Sequence, residues 1–147
     1  MSFYNLPLST ADGGPSPVLT TQTLQMIAGG SITAGDVVAF DTTQSGEDRV
    51  QVVVQAATTA TVGNARAIGF AQTSAVAGEA FPVVVGGYFA NANVDGGTAI
   101  GTALVGPIGT AGQAALAAAA STAPVLAVAL EADTTNVAAV YVLRQLI

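Results

Sequence analysis

The sequence has no cysteine, no histidine, no lysine and no tryptophan. Without cysteine there are no disulfides, no thiolate nucleophile and no zinc–cysteine site. Without histidine or cysteine, no Ser-His-Asp or Cys-His arrangement can be assembled, and without lysine no Ser-Lys variant or Schiff base. Positive charge is almost missing, since Arg49, Arg66 and Arg144 are the only cations against nine acidic residues, a net charge of −6. Nucleic-acid binding needs clustered Lys or Arg to displace phosphate counterions, so that role is excluded. The N-terminus lacks the basic segment and apolar core of a signal peptide. The longest apolar runs, Ala114–Ala120 and Ala123–Leu130, are shorter than the ~20 residues a membrane helix needs. Together these absences predict no membrane partner and a chain made and kept in the cytoplasm, or assembled there into something larger.

Charge of either sign is scarce. A soluble domain carries about 25% ionisable residues, roughly 37 in a chain of this length, whereas only 8% are charged here. A folded monomer of this mass exposes on the order of 6,800 Å², which leaves roughly one charge per 570 Å², about a third of the usual density. Ionised groups keep proteins soluble and apart. The surface therefore predicts that much of the outside is covered by partners, the alternative being an aggregation-prone chain.

What is present is short runs of alternating apolar residues cut by glycine-containing turns. The central stretch is RAIGFAQTSAVAGEAFPVVVGGYF, Arg66–Phe89. Its runs Ala67–Ala71 and Phe81–Val85 flank a polar connection holding Gly78 and Glu79, which reads as a hairpin. Ile68 and Phe70 are expected on one face, and Phe81, Val83 and Val85 on one face of the second strand. Pro82, unable to donate a ladder bond, belongs at a strand start or a sheet edge. Before this hairpin come a first strand at Leu24–Ala28, a second at Val37–Phe40 after the turn Ala34-Gly35-Asp36, and RVQVVVQA. In RVQVVVQA, Val50, Val52 and Val54 share a face opposite Gln51, Val53 and Gln55. After it come a short strand in Ala99–Pro107 and the ambiguous Gln113–Ala120, open between a helical turn and a loop or weak strand. A C-terminal hairpin of Val125–Leu130 and Val137–Leu143 closes the chain, with Tyr141 and Leu143 on one side and Val140 and Val142 on the other. ITAGDVVAF, AVAGEAFPVVV and TAIGTALV repeat one turn chemistry at unequal spacing. The expected fold is all-β, a small barrel or sandwich of about eight or nine short strands, in a single domain over residues 24–147.

Residues 1–23 carry Pro7, Pro15 and Pro17 with Gly13 and Gly14, which break any helix or central strand. Phe3, Tyr4, Leu6 and Leu8 are too apolar for a solvated tail. They predict an extended N-terminal arm that binds a neighbour through these four residues; the alternatives are a disordered terminus or an arm folded back on its own barrel. Elsewhere chemistry is scant. Asn91–Gly97 loosely fits the start of a calcium loop, but position one is Asn and position twelve is Thr102, so a simple turn is favoured. Glu47-Asp48 beside Arg49, and Glu131 with Asp133, read as solvated turn residues rather than acid–base pairs. No catalytic residue, metal site or cofactor is expected, and the chain is not expected to be an enzyme.

The succession AGDVVAFD, a valine-rich strand, AIGFAQTSAVAGEAFPVVVGG and VLAVALEADTTNVAAVYVL resembles the capsid decoration (cement) proteins of tailed bacteriophages. In that family an AGD turn leads a strand. A glycine-containing strand, matched by Ile68–Ala71, leads to an AGE turn and a valine-rich strand, matched by Gly78–Gly87. An "AxALE" segment, matched by Ala127–Glu131, precedes the last strand. The resemblance covers about residues 30–145 and departs at the Thr/Ala connection Ala57–Gly63 and at Gln113–Ala120. It implies a structural virion protein, often a homotrimer, bound to the outer surface of the phage head, where it clamps neighbouring major capsid proteins. A fibre or receptor-binding module on the virion surface is the alternative.

Overall fold

The computed structural model describes residues 21–60, 62–118 and 121–143. Nine strands form one continuous sheet: β1 (Thr21–Ala28), β2 (Val37–Phe40), β3 (Val52–Gln55), β4 (Ala67–Ala71), β5 (Ala80–Asn93), β6 (Ala103–Val105), β7 (Ala115–Leu116), β8 (Ala127–Ala129) and β9 (Val137–Val142). A 3-10 turn, Gly46–Val50, lies between β2 and β3. The strands are ordered β1-β3-β2-β4-β5-β9-β8-β6-β7, and β1 also pairs with β5. That extra pairing closes β1, β3, β2, β4 and β5 into a five-stranded barrel, which removes the open edges a flat sheet would carry. The remaining four strands extend the sheet from the second half of β5.

The expected central hairpin is β4 and β5, paired antiparallel with Phe70 opposite Val84 and Ala71 opposite Val83. Pro82 is the third residue of β5, near its start, and its carbonyl accepts the Gln72 N–H at 3.0 Å. The strand does not stop at Gly86-Gly87. It runs on to Asn93, changing partners from β1 to β9 at Gly87. β5 is thus the one strand common to the barrel and its extension. β8 and β9 form the expected C-terminal hairpin, with Val128 opposite Tyr141. Ala115–Leu116 is a two-residue strand paired with β6, so the alanine-rich segment resolves here as weak strand. Just outside the strands, a parallel bridge between Val94 and Ala114 ties the far edge of the extension back to the end of β5.

The turns carry a symmetry. Gly35 donates to the Ala71 carbonyl at 2.8 Å, and Gly78 to the Ala28 carbonyl at 2.7 Å. Ala71 donates to the Asp36 carbonyl and Ala28 to the Glu79 carbonyl, both at 2.8 Å. Ile32 and Ala75 exchange bonds of 2.9 and 3.0 Å between them. Residues 28–36 and 71–79 are therefore related by a local two-fold axis passing between Ile32 and Ala75. Each half contains the same turn: Asp36 N–H to Thr33 O and Glu79 N–H to Val76 O, both at 3.0 Å, around glycines with φ of 92° and 90°. A positive φ at the third position is what a type II turn requires. In each, the carboxylate reaches back to the first residue, Thr33 N–H to Asp36 Oδ2 at 3.0 Å and Val76 N–H to Glu79 Oε1 at 2.9 Å. Thr102 N–H to Ala99 O, and Gln113 N–H to Thr110 O, close two more turns with positive-φ Gly101 and Gly112.

Two cores follow from the alternation. The barrel interior holds Met26, Val38, Val53, Ile68, Phe81, Val83 and Val85. Val37, Phe70 and Val84 point the other way, into a second core shared with Leu104, Leu126, Val140 and Val142 of the extension. Each large buried side chain contributes about 1.5–3 kcal/mol of transfer free energy. Phe81, Val83 and Val85 share a face as expected. Ile68 and Phe70 do not: Val38 lies opposite Gly69 and Ala39 opposite Ala67, leaving Ile68 as the extra residue of a β-bulge. The bulge turns Ile68 into the barrel while Phe70 meets Phe89 outside it, ring centroids 5.9 Å apart. Gly69 permits this approach, because a Cβ there would fall 2.0 Å from the Val84 carbonyl oxygen.

Candidate interaction surface

Among the described residues Asp36 is the buried ionisable group, 5% exposed. Its Oδ2 accepts from Thr33 N–H and from Gln55 Nε2 at 2.9 Å, and its Oδ1 from Asn93 Nδ2 at 2.8 Å. It joins the first turn to β3 and to the far half of β5. Gly112 fits against it, since a Cβ there would lie 2.9 Å from Oδ1. Every partner is a neutral amide, so Asp36 organises backbone and does not face a reacting group.

Glu131 Oε1 accepts from Ala139 N–H at 3.0 Å, and Asp133 Oδ1 from Gly97 N–H at 2.9 Å. Both lie in the β8–β9 connection, as expected, but instead of being simply solvated Glu131 ties that connection to β9 and Asp133 ties it to the Gly97 turn. Asn91–Asn93 lie in extended β5, so the first positions of NANVDGG are strand rather than a calcium loop. Among the described residues, no three Asp or Glu converge as metal ligands would. Burial raises the pKa of Asp95 above the ordinary value.

The described cations lie together at one end of the barrel. Arg66 Nη1 donates to Thr42 Oγ1 at 2.8 Å and Arg49 Nε to the Gln44 carbonyl at 3.1 Å. Phe40, Asp41, Thr42 and Arg49 line a hollow of about 260 Å³ beside them. Hydrogen bonds from the Gln44 side chain and then from Thr43 hold the Asp41 carboxyl below the usual range. Glu47 and Asp48 are exposed on the adjoining 3-10 turn, which makes this end polar and of mixed sign.

The sheet extension presents the opposite character. Across its outward side Tyr88 pairs with Tyr141, Tyr141 with Val128, and Val128 with Ala103. Val140, Val142, Ala127, Ala129 and Leu104 face inward to the second core. Tyr141 is 38% exposed, with Leu130 exposed beside this row and Ile100, on the turn before β6, at 74%. An uncharged aromatic and aliphatic row of this kind suits a protein partner. Sequence reasoning placed Tyr141 on the side opposite Val140 but did not single it out for contact, because the row joins the β8–β9 hairpin to β5 and β6, which lie far from it in sequence. The four residues it did choose, Phe3, Tyr4, Leu6 and Leu8, lie outside the described residues.

No protein-family model matches the chain, and no curated protein matches it. Among solved structures, the fold is similar to that of the head fiber gp8.5 N base of bacteriophage phi29. The TM-score is 0.54 at 14% identity, over 85% of this chain and 96% of that one. At that identity the likeness is one of fold.

Proposed function

We propose that the chain is a structural subunit of a phage virion, a decoration protein that binds the outer surface of the head and stabilises contacts between major capsid proteins. The observation that carries this reading is the barrel with its sheet extension, a fold like that of a phage head-fibre base. The scarcity of charge and the apolar row over Tyr88, Tyr141 and Val128 support a life among other subunits. The subunit acts by contact and carries no catalysis. Self-association, as a homotrimer, places several copies of the same weak contact on the head at once, and linked contacts gain from effective concentration. Phe3, Tyr4, Leu6 and Leu8 supply an arm that reaches the capsid or a sister subunit.

The test is attachment. Purified protein mixed with heads that lack it should co-sediment with them and raise their resistance to heat. Deleting residues 1–16 should weaken attachment and leave the β-rich circular dichroism spectrum intact. Absence of binding to any head would overturn the reading. A fibre-base or receptor-binding role is the second reading, favoured by the fibre origin of the similar structure. It calls for glycan or host-surface binding and no stabilisation of heads, which a glycan array measures.

A further inference from the structure

We propose that copies of this chain associate through the outward face of β5, β9, β8 and β6, the face bearing Tyr88, Tyr141, Val128, Leu130 and Ala103. The inference rests on the self-association within the proposed function and names the surface responsible for it. Two independent features converge on this face. The first is the distribution of charge. No ionisable residue stands between Asp95 and Glu131, the span containing β6, β7 and β8. Of the described ionisable groups, Asp41, Glu47, Asp48, Arg49 and Arg66 lie at one end of the barrel, Glu79 in the turn at the other, and Asp36, Asp95 and Asp133 in or beside turns; Glu131 alone among the described residues borders the face, directly after Leu130, with its carboxylate tied to the Ala139 N–H. The second is the paired row itself, which offers two tyrosines in register across adjacent strands. Tyrosine gives a large contact area for little conformational entropy, and its hydroxyl can hydrogen-bond at the margin.

A second copy is the occupant this composition selects. Permanent interfaces, between like or unlike subunits, resemble a domain core cut in half, and the need for solubility before assembly decides between the two. Interfaces between partners that are each stable alone are about as polar as the rest of the surface. A subunit that adds to an already built shell must stay soluble beforehand, and covering its charge-poor face with its own kind achieves that. The mixed-charge end around Arg49 and Arg66 has the composition of the second class and is left to the unlike partner.

Sizing with light scattering on wild type, Tyr141→Asp, Leu130→Asp and Val76→Asp tests this, with circular dichroism confirming the fold of each. Wild type should be assembled. Burying a charge in an apolar contact costs several kcal/mol, so Tyr141→Asp and Leu130→Asp should raise the concentration needed for assembly by at least about a hundredfold. Val76→Asp, on the exposed turn at the far end of the barrel, should leave assembly unchanged. A folded Tyr141→Asp that assembles as wild type does, or a wild type monomeric at working concentration, overturns the inference. Should both face variants fail to fold, radical footprinting of wild type decides: Tyr141 should lose labelling on assembly, and equal labelling in dilute and assembled protein would count against the face. A protein that assembles through this face yet binds no head sinks the decoration role and leaves this inference standing.

Discussion

The two turns related by the local two-fold offer a matched experiment. Asp36 and Glu79 occupy equivalent positions and make the same bond to the first residue of their turn, at 3.0 and 2.9 Å. Their surroundings differ. Asp36 is buried and also accepts from Gln55 and Asn93, whereas Glu79 is exposed with the turn bond alone among the described residues. Hydrogen bonds to a charged group contribute about 1.5–3 kcal/mol each where shielded, and a removed buried acceptor leaves its donors unpaired. Some donors at Asp36 regain water once it is gone, Gln55 being on the surface, so Asp36→Ala should cost about 3 kcal/mol rather than the full sum. Glu79→Ala should cost about 1 kcal/mol or less, the scale of a solvated capping bond. Asp36→Asn keeps one acceptor oxygen and turns the other into a donor facing donors, so an intermediate loss of about 2 kcal/mol is expected. Urea denaturation reads all three. With a slope of about 2 kcal/mol/M, the Asp36→Ala midpoint should fall by about 1.5 M and the Glu79→Ala midpoint by about 0.5 M or less. Equal shifts for the two, or a shift for Asp36→Ala below that for Glu79→Ala, would refute the role given to the buried carboxylate.

Two further outcomes are expected. Gly69→Ala places a Cβ against the Val84 carbonyl and must part β4 from β5, so a loss of about 3 kcal/mol or more should lower the calorimetric midpoint by roughly 10 °C. Asp95 has a folded pKa raised by burial, so its stabilising state is the protonated one, present below the ordinary carboxyl pKa and lost as pH climbs through the folded value. Asp95→Asn should therefore be more stable than wild type at pH 7, with the difference vanishing near pH 3. Thermal midpoints at the two pH values check it.

Where alternation and turn chemistry act locally, the sequence was legible. Phe81, Val83 and Val85 share the barrel interior, Tyr141 lies opposite Val140 and Val142, and Gly35 and Gly78 sit at the turns they were expected to make. Ile68 escaped because a bulge shifts the register within β4, and nothing in AIGFA marks where the extra residue falls until its partner Val38 is known. A small barrel was among the expected folds, but the pairings that close it escaped for a similar reason. β1 pairs with β3 through only Ile27 and Ala28, in parallel, and with β5 across more than fifty intervening residues. Such pairings leave no periodic trace in either segment. The kinship of ITAGDVVAF and AVAGEAFPVVV was visible as similar turns, but the axis relating them exists only in the hydrogen bonds that each half makes to the other. Asp36 reads in sequence as one more turn residue, and its burial comes from Asn93 and Gly112, far along the chain.

Because β5 belongs to both the barrel and its extension, the chain has a built-in tie rod. A pull that separates the two lobes along this strand loads its bonds to β1 and β4 at one end and to β9 at the other lengthwise, many at once, instead of unzipping them singly. Force entering through the sheet is thereby carried straight into the closed barrel, with no loop in the line of tension.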